Sequence, residues 1–472
     1  MITDYLRKSD DAVKSLSLDA IAKKTGGRII QGTGSLVVHD IVTRIRKIGQ
    51  GNLLFDLYHD RDEKALTGLR GCSYGIITDT PEYFKGVGDR VTIIQVKDID
   101  EAYWKFVDFY RSLFDIPVIG VTGTCGKTTT KEMIKHILSG KYRVNATYKS
   151  YNASFRNFGY LLDINDDTQM VVMEMGVAYP KDLITTCRYF KPQVGVITNI
   201  GVDHLQAFGT LDAYISAKAE FIQGLDYKGT LILNADCENT KKIDLSKYKG
   251  NVVYFGSRDG SHFRISGIKH IRHGMEFSLV HEEKAYKFFI PLYADFNAYN
   301  AAAAIAAAHA VGVDVQEAGE RLESYKNVEK HFEIKQGING STVIDDTWST
   351  NPTSTEAALR LLKNFAGDRK TIAVLGKMSL LGKSSSRHHH MIGEKVAETG
   401  IDKLVVIGDG AEAIGRGALQ KGMKEDDVRF CRDTDETYAY LADNIDGNTV
   451  VLIKTSMLSS YDDLMNRIVI DK

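Results

Sequence analysis

The segment Gly123-Thr124-Cys125-Gly126-Lys127-Thr128-Thr129-Thr130 sets small residues and one lysine between an apolar run, residues 116–121, and a stretch of helical spacing, residues 131–138. A strand, a tight turn and a helix N-terminus in that order make a phosphate cradle. Small residues let backbone N–H groups approach phosphate oxygens, and the unpaired N–H groups and dipole of the helix favour negative charge. In such a cradle Lys127 reaches the outer phosphates and the Thr128 hydroxyl binds Mg²⁺. The strict phosphate-loop pattern has glycine where Val121 stands, so the motif departs at one position while its physics is kept.

A second constellation follows. Thr198-Asn199-Ile200-Gly201-Val202-Asp203-His204 ends an apolar run and places a histidine in the loop after it, and residues 214–222 then form a helical segment carrying Lys218. Glu174 ends another apolar run, residues 170–175. Ligands of open parallel sheets sit at the carboxyl ends of strands, so Glu174, His204 and the phosphate loop have the means to converge. Each also has a plainer reading. Lys218 taken alone is an exposed helix lysine paired with a neighbouring acid, and His204 a hydrogen-bonded loop histidine. Asn300 opens an alanine-rich helix and is placed to cap it. Cys125 is either a thiol activated at a helix N-terminus or a tolerated small residue. Arg387-His388-His389-His390 reads as a solvated helix start, and Trp104 as core.

The elements that must position these groups form three units. Residues 1–112 read as a small α/β unit: a helix over 16–27 stopped by Gly26-Gly27, an alternating strand over 37–43, short strands at 72–78 and 91–96, and a helix from 99 to 113. Residues 113–329 alternate apolar strands (116–122, 170–175, 194–198, 229–234) with helices, the pattern of a parallel sheet covered on both faces. Within that unit, residues 251–290 alternate like an antiparallel insertion, and residues 300–310 form a buried alanine helix. Residues 330–472 repeat the pattern with strands at 342–346, 371–376, 403–408 and 450–454, a doubly wound, Rossmann-like domain. The fold class is therefore α/β in three domains: a small N-terminal domain, a central phosphate-loop ATPase domain and a C-terminal Rossmann-like domain.

Composition narrows the function. The 472 residues are 43% hydrophobic, ordinary for a globular chain. Sixty basic against sixty-one acidic side chains leave a net charge of -1, which argues against a general nucleic-acid binder. No apolar run approaches the ~20 residues needed to span a bilayer, so no integral membrane segment is expected. Met1-Ile2-Thr3-Asp4-Tyr5 lacks the basic-then-apolar leader pattern. Five scattered cysteines without a CxxC pair suit a reducing cytoplasm.

Taken together, the phosphate loop through Glu132, Glu174-Met175-Gly176, the 198–222 constellation and Asp345-Asp346-Thr347-Trp348-Ser349-Thr350-Asn351-Pro352 resemble the Mur ligase family, ATP-dependent amide-forming ligases that also include folylpolyglutamate synthetase. The likeness runs from residue 98 to the end and is strongest to the type that adds D-alanyl-D-alanine in peptidoglycan synthesis. The resemblance implies that Gly123, Thr124, Cys125, Gly126, Lys127, Thr128 and Thr129 cradle ATP, with Asn297 and Asn300 near the adenine and Asp346 on the ribose. It implies that Thr128, Glu174, His204 and Lys218 serve two Mg²⁺ ions, Lys218 as a CO₂-derived carbamate. An oxygen-rich carbamate is a ligand of the kind Mg²⁺ prefers, whereas an ammonium repels it. Lys127, His204 and Lys218 then carry the catalysis. A substrate carboxylate takes the γ-phosphate to give an acyl phosphate, and an amine displaces phosphate, with the C-terminal domain closing over the nucleotide.

Substrate-facing motifs depart from the family. Val42-Thr43-Arg44-Ile45-Arg46-Lys47 stands where an Asp-Ser-Arg motif meets the uridine nucleotide, and Lys330-His331 replaces Gly-Arg, so His331 or Lys330 takes the arginine's phosphate contact. Trp348-Ser349 replaces Tyr-Asn, and Lys454-Thr455-Ser456-Met457 lacks the arginine of Lys-Gly-Ser-Arg, a carboxylate clamp. The expectation is a monomeric cytoplasmic ligase acting on a small-molecule acid and amine, the acid being a muramyl peptide or an unusual carboxylate. Rival readings are a folylpolyglutamate-like or secondary-metabolite amide ligase on the same scaffold, a phosphate-loop NTPase that makes no amide bond, and a non-catalytic binding protein.

Overall fold

A computed structural model describes residues 13–62, 64, 71–271, 273–459 and 461–470. The N-terminal pentapeptide read above for a leader lies outside the described residues, as do both chain ends of the 1–112 and 330–472 spans. The chain divides into two compact units. One takes in the residues up to Gly120 with 141–175 and 184–193, the other residues 121–140, 176–183 and 194–472.

The first unit holds a five-stranded sheet ordered Arg28–Gln31, Val91–Gln95, Tyr74–Thr78, Asn52–Phe55, Asp40–Val42, with only the first pair antiparallel. The helix Leu18–Thr25 is capped by Ser17, which accepts from the Ala20 N–H, and ends on left-handed Gly26. The alternating stretch over 37–43 is not one strand. It breaks at His39 into Val37–Val38, which pairs with Leu16–Ser17, and Asp40–Val42, which belongs to the five-stranded sheet. The helix Ile99–Ser112 buries Ala102, Tyr103, Phe106, Val107 and Tyr110, with Asp98 capping its start. The parallel strands Val144–Ala146 and Met170–Glu174 complete this unit.

The strand Val118–Thr122 carries the chain from the first unit into the second. There Val194–Ile197, Thr230–Asn234 and Asn251–Gly256 run parallel. The expected antiparallel insertion begins later than predicted, because residues 235–250 return the chain to the same end of the sheet and let 251–256 extend the parallel run. Phe263–Ile271, Gly274–His281 and Lys284–Ile290 then form the antiparallel part. The alanine helix spans Asp295–His309, with its alanines buried.

The last sheet is ordered Glu333–Gln336, Thr342–Asp346, Thr449–Lys454, Lys370–Leu375, Lys403–Ile407, Val428–Cys431, all parallel except the first. Helices Pro352–Ala366, Ser385–Thr399 and Glu412–Gln420 cover one face, and Thr434–Asn444 and Asp462–Ile468 the other. Among the described residues no helix is long and apolar enough to cross a membrane.

Candidate active site

The strand Val118–Thr122 is buried throughout and delivers Gly123 in a glycine conformation, φ 148°. A Cβ there would lie 2.0 Å from Thr198 Oγ1. Gly126, at φ 77°, opens the helix Lys127–Ser139, and a Cβ there would lie 2.4 Å from Asn300 Oδ1. The helix starts four residues before the expected Lys131, so Lys127, Thr128 and Thr129 form its first turn. No side chain caps this N-terminus, which leaves its first N–H groups to a ligand. The loop is held from below. Thr124 N–H donates to Asn199 O (2.9 Å), Cys125 N–H to Asn199 Oδ1 (3.0 Å), and the Thr198 hydroxyl to Cys125 O (2.6 Å). Lys127 Nζ folds back on Thr124 O at 2.9 Å, so its charge lies over the loop it would serve. Asn199 and Thr198 entered the sequence reading only as motif members; their backbone-holding role is visible only in three dimensions.

Lys218 is not an exposed helix lysine. The helix Leu211–Gly224, capped by Thr210, points it inward until it is 1% exposed. Its Nζ donates to Thr122 Oγ1 at 3.1 Å and lies 5.2 Å from the Tyr214 ring centre. His204 stacks on the same ring at 6.1 Å and sits at φ 51°. Burial holds its imidazole below the usual histidine range, against the opposing pull of Asp203. Phosphate loop, Lys218 and His204 thus belong to one unit. Glu174 belongs to the other, where Asn152 Nδ2 donates to its Oε1 at 2.6 Å. Its Oε2 is buried and has no hydrogen-bond partner among the described residues. A buried carboxylate oxygen without a donor is what a cation site requires.

Asn300 does not cap the alanine helix. Ala294 stands at that position, and Asn300 lies in the helix interior, accepting from the Thr130 hydroxyl (3.3 Å) and donating to Asn297 Oδ1 (3.0 Å). Asp346 accepts from Lys454 Nζ at 2.6 Å, and the lysine, 2% exposed, also donates to Ser349 O. At the Gly-Arg position, Lys330 is paired with Asp462, and His331 stacks on Trp348 at 6.0 Å with its Nδ1 2.8 Å from Glu329 O. The activated-thiol reading of Cys125 fails: burial pushes its pKa up to about 11 despite nearby Lys127. The histidine run is not wholly solvated either, since His389 is fully buried and accepts from the Met378 N–H at 2.8 Å. Among the described residues no group of three or more His, Cys, Asp or Glu side chains is assembled as a metal cluster.

Residues 121–308 match the Mur ligase middle domain and residues 332–457 the Mur ligase glutamate ligase domain. A UDP-N-acetylmuramoyl-tripeptide--D-alanyl-D-alanine ligase of Synechocystis sp. is 30% identical over 392 residues, covering 81% of this chain and 82% of that one. The chain belongs to the Mur ligase family. The Bacillus subtilis ligase of the same name is 27% identical over 440 residues, 92% of this chain and 93% of its own length. The crystal structure of MurF from Acinetobacter baumannii superposes with a TM-score of 0.83 at 25% identity, covering 96% of this chain and 98% of that one. As a Mur ligase, the protein is an ATP-dependent, ADP-forming enzyme that makes amide bonds, which sets aside the NTPase and scaffold readings.

Proposed function

We propose that this Mur ligase joins D-alanyl-D-alanine to the terminal carboxylate of a muramyl tripeptide, as the names of its relatives state for them, and acts as a monomer in the cytoplasm. The observation that carries the reading is likeness to such ligases over nearly the whole chain, together with a phosphate loop whose geometry is intact. Residues 1–112 hold the acid, 113–329 the nucleotide, and 330–472 bring the amine. A relative from Thermotoga maritima has been solved in complex with ADP, which fits a nucleotide on this loop.

Each residue then has a task. The N–H groups of the first turn of the helix from Lys127 take phosphate oxygens, and Lys127 offsets charge developing on the γ-phosphate. Asn297 and Asn300 line the adenine, and Asp346 and His331 meet ribose and phosphate. Bound Mg²⁺ would supply charge neutralisation for the phosphates. Thr128, His204 and Lys218, the last as a carbamate, would hold it, and the buried Oε2 of Glu174 has the chemistry of a cation ligand as well. The acid's carboxylate attacks the γ-phosphorus, ADP leaves, and the amine nitrogen attacks the acyl carbon and expels phosphate.

The test is ADP release from Mg-ATP with UDP-N-acetylmuramoyl-tripeptide and D-alanyl-D-alanine, alone and together. Turnover only with both, and an amide product by mass spectrometry, is the expected result. Turnover with another acid but not the muramyl tripeptide would replace the substrate and point to the altered 42–47 segment.

A further inference from the structure

The loop that carries His204 is fastened to the start of the helix Pro352–Ala366. Val202 N–H donates to Thr353 Oγ1 at 3.0 Å. Asp203 accepts twice, from the His204 N–H through Oδ1 (2.8 Å) and from Asn351 Nδ2 through Oδ2 (3.3 Å). Two residues beyond His204, Gln206 N–H donates to Leu380 O at 2.9 Å. The fit is close. A Cβ on Gly201 would lie 2.2 Å from Thr353 Oγ1, and one on Gly382 would lie 3.0 Å from Gln206 Cα. Leu380 takes up φ 65° to present its carbonyl, a conformation that costs a leucine energy and persists only where its surroundings hold it. Asn351 is buried, caps its own helix through Ser354, and its Oδ1 also takes the Cys125 thiol at 3.6 Å.

Three hydrogen bonds thus arrive on residues 202–206 from the segments that follow the carboxyl ends of Thr342–Asp346 and Lys370–Leu375, two strands with Thr449–Lys454 between them. His204, left-handed and without a side-chain cap on the short helix Leu205–Phe208, has little regular structure of its own to hold it. We propose that Thr353 is a positioning residue for His204: the docked C-terminal domain sets the His204 loop through the Thr353–Val202 bond, with Asn351 and Leu380 in support, so that phosphoryl transfer proceeds fully only while that domain is in place. This rests on the ligase reading, and it gives a physical reason why ATP is not spent idly. Undocking removes an acceptor from Val202 N–H and a donor from Asp203, and the loop loses its template.

The experiment compares Thr353→Val, which keeps the shape and removes the acceptor, with Thr353→Ser, which keeps it. Hydrogen exchange on the whole apo protein reads the Val202 amide directly. Thr353→Val is expected to speed exchange in peptides covering 200–208 at least tenfold, with protection elsewhere and the melting temperature unchanged, and Thr353→Ser to restore it. In ADP release, Thr353→Val should lower kcat about tenfold with KM for ATP held, and Thr353→Ser should recover most of it. Unchanged exchange at 200–208, or faster exchange with unchanged kcat, overturns the proposal. If the wild-type protein turns over no acid and amine pair, the ligase reading fails, while the exchange comparison still decides whether Thr353 holds the loop.

Discussion

Lys218 Nζ and Thr122 Oγ1 meet at 3.1 Å in the interior, between the middle of one helix and the last residue of the strand that feeds the phosphate loop. Burying an ammonium costs several kcal/mol. A carbamate on the same nitrogen keeps an N–H to donate to Thr122 and exchanges the positive charge for two oxygens suited to Mg²⁺. With isotopically labelled bicarbonate, NMR of the protein is expected to show one carbamate carbonyl that Lys218→Met removes. The variant should lose at least about 100-fold in kcat, or roughly 2.7 kcal/mol of barrier. Full turnover by the variant, or no carbamate signal in a fully active protein, would end the assignment.

Gly126 tests the cradle. An alanine there must hold φ 77° at a cost of about 1–3 kcal/mol, and its methyl meets Asn300 Oδ1 at 2.4 Å. Gly126→Ala should therefore weaken Mg-ADP binding at least tenfold by calorimetry. Adding Asn300→Ala removes the clash but neither the φ strain nor the loss of a side chain placed at the adenine, so it should restore at most part of the affinity. Wild-type affinity in Gly126→Ala would show that the nucleotide does not lie on this turn.

Cys125 lies in the same loop, and its chemistry is the reverse of an activated thiol. With a pKa of about 11, only ~0.1% is thiolate at pH 8, and the thiolate is the nucleophile. Peptide mapping after iodoacetamide at pH 8 is expected to find Cys125 among the slowest of the five cysteines. Rapid labelling there would contradict the raised pKa.

The pattern of the fold was legible because long apolar strands and helical spacing are local signals. The strands at 118–122, 170–174 and 342–346 and the helix 99–112 fall where periodicity puts them. What was not legible depends on partners distant in sequence. Nothing near Asn300 announces Thr130, and a start at Asp295 puts Asn300 inside the helix rather than at its cap. The inward turn of Lys218 follows from the sheet it packs on, and the helix alone, with its mixed composition, does not reveal which side faces in. Strand 251–256 alternates like a hairpin strand, yet it pairs in parallel because a crossover precedes it. Thr353 and Leu380 carried no motif signal at all. Their roles exist only once residues 202 and 206 stand opposite them.

His389 supplies a pH dependence of stability. Its Nε2 accepts from Met378 N–H, and its Nδ1 lies 2.8 Å from the Ser385 carbonyl, which selects the neutral ring protonated at Nδ1. Burial lowers its pKa below the ordinary histidine value, helped by Lys377 and His388 and opposed by Ser385 and Glu412. The folded state therefore binds fewer protons than the unfolded chain once pH drops below about 6.5, and stability is lost as pH falls from there toward the lowered folded pKa. Above about pH 7 both states carry neutral imidazole and this contribution is flat. In urea titrations, the unfolding midpoint of the wild type should fall between pH 7 and 5. His389→Gln keeps an acceptor for Met378 but cannot titrate, so it should start lower and show a shallower fall. Equal slopes would assign the acid sensitivity to other groups, His388 first among them, because burial lowers its pKa as well.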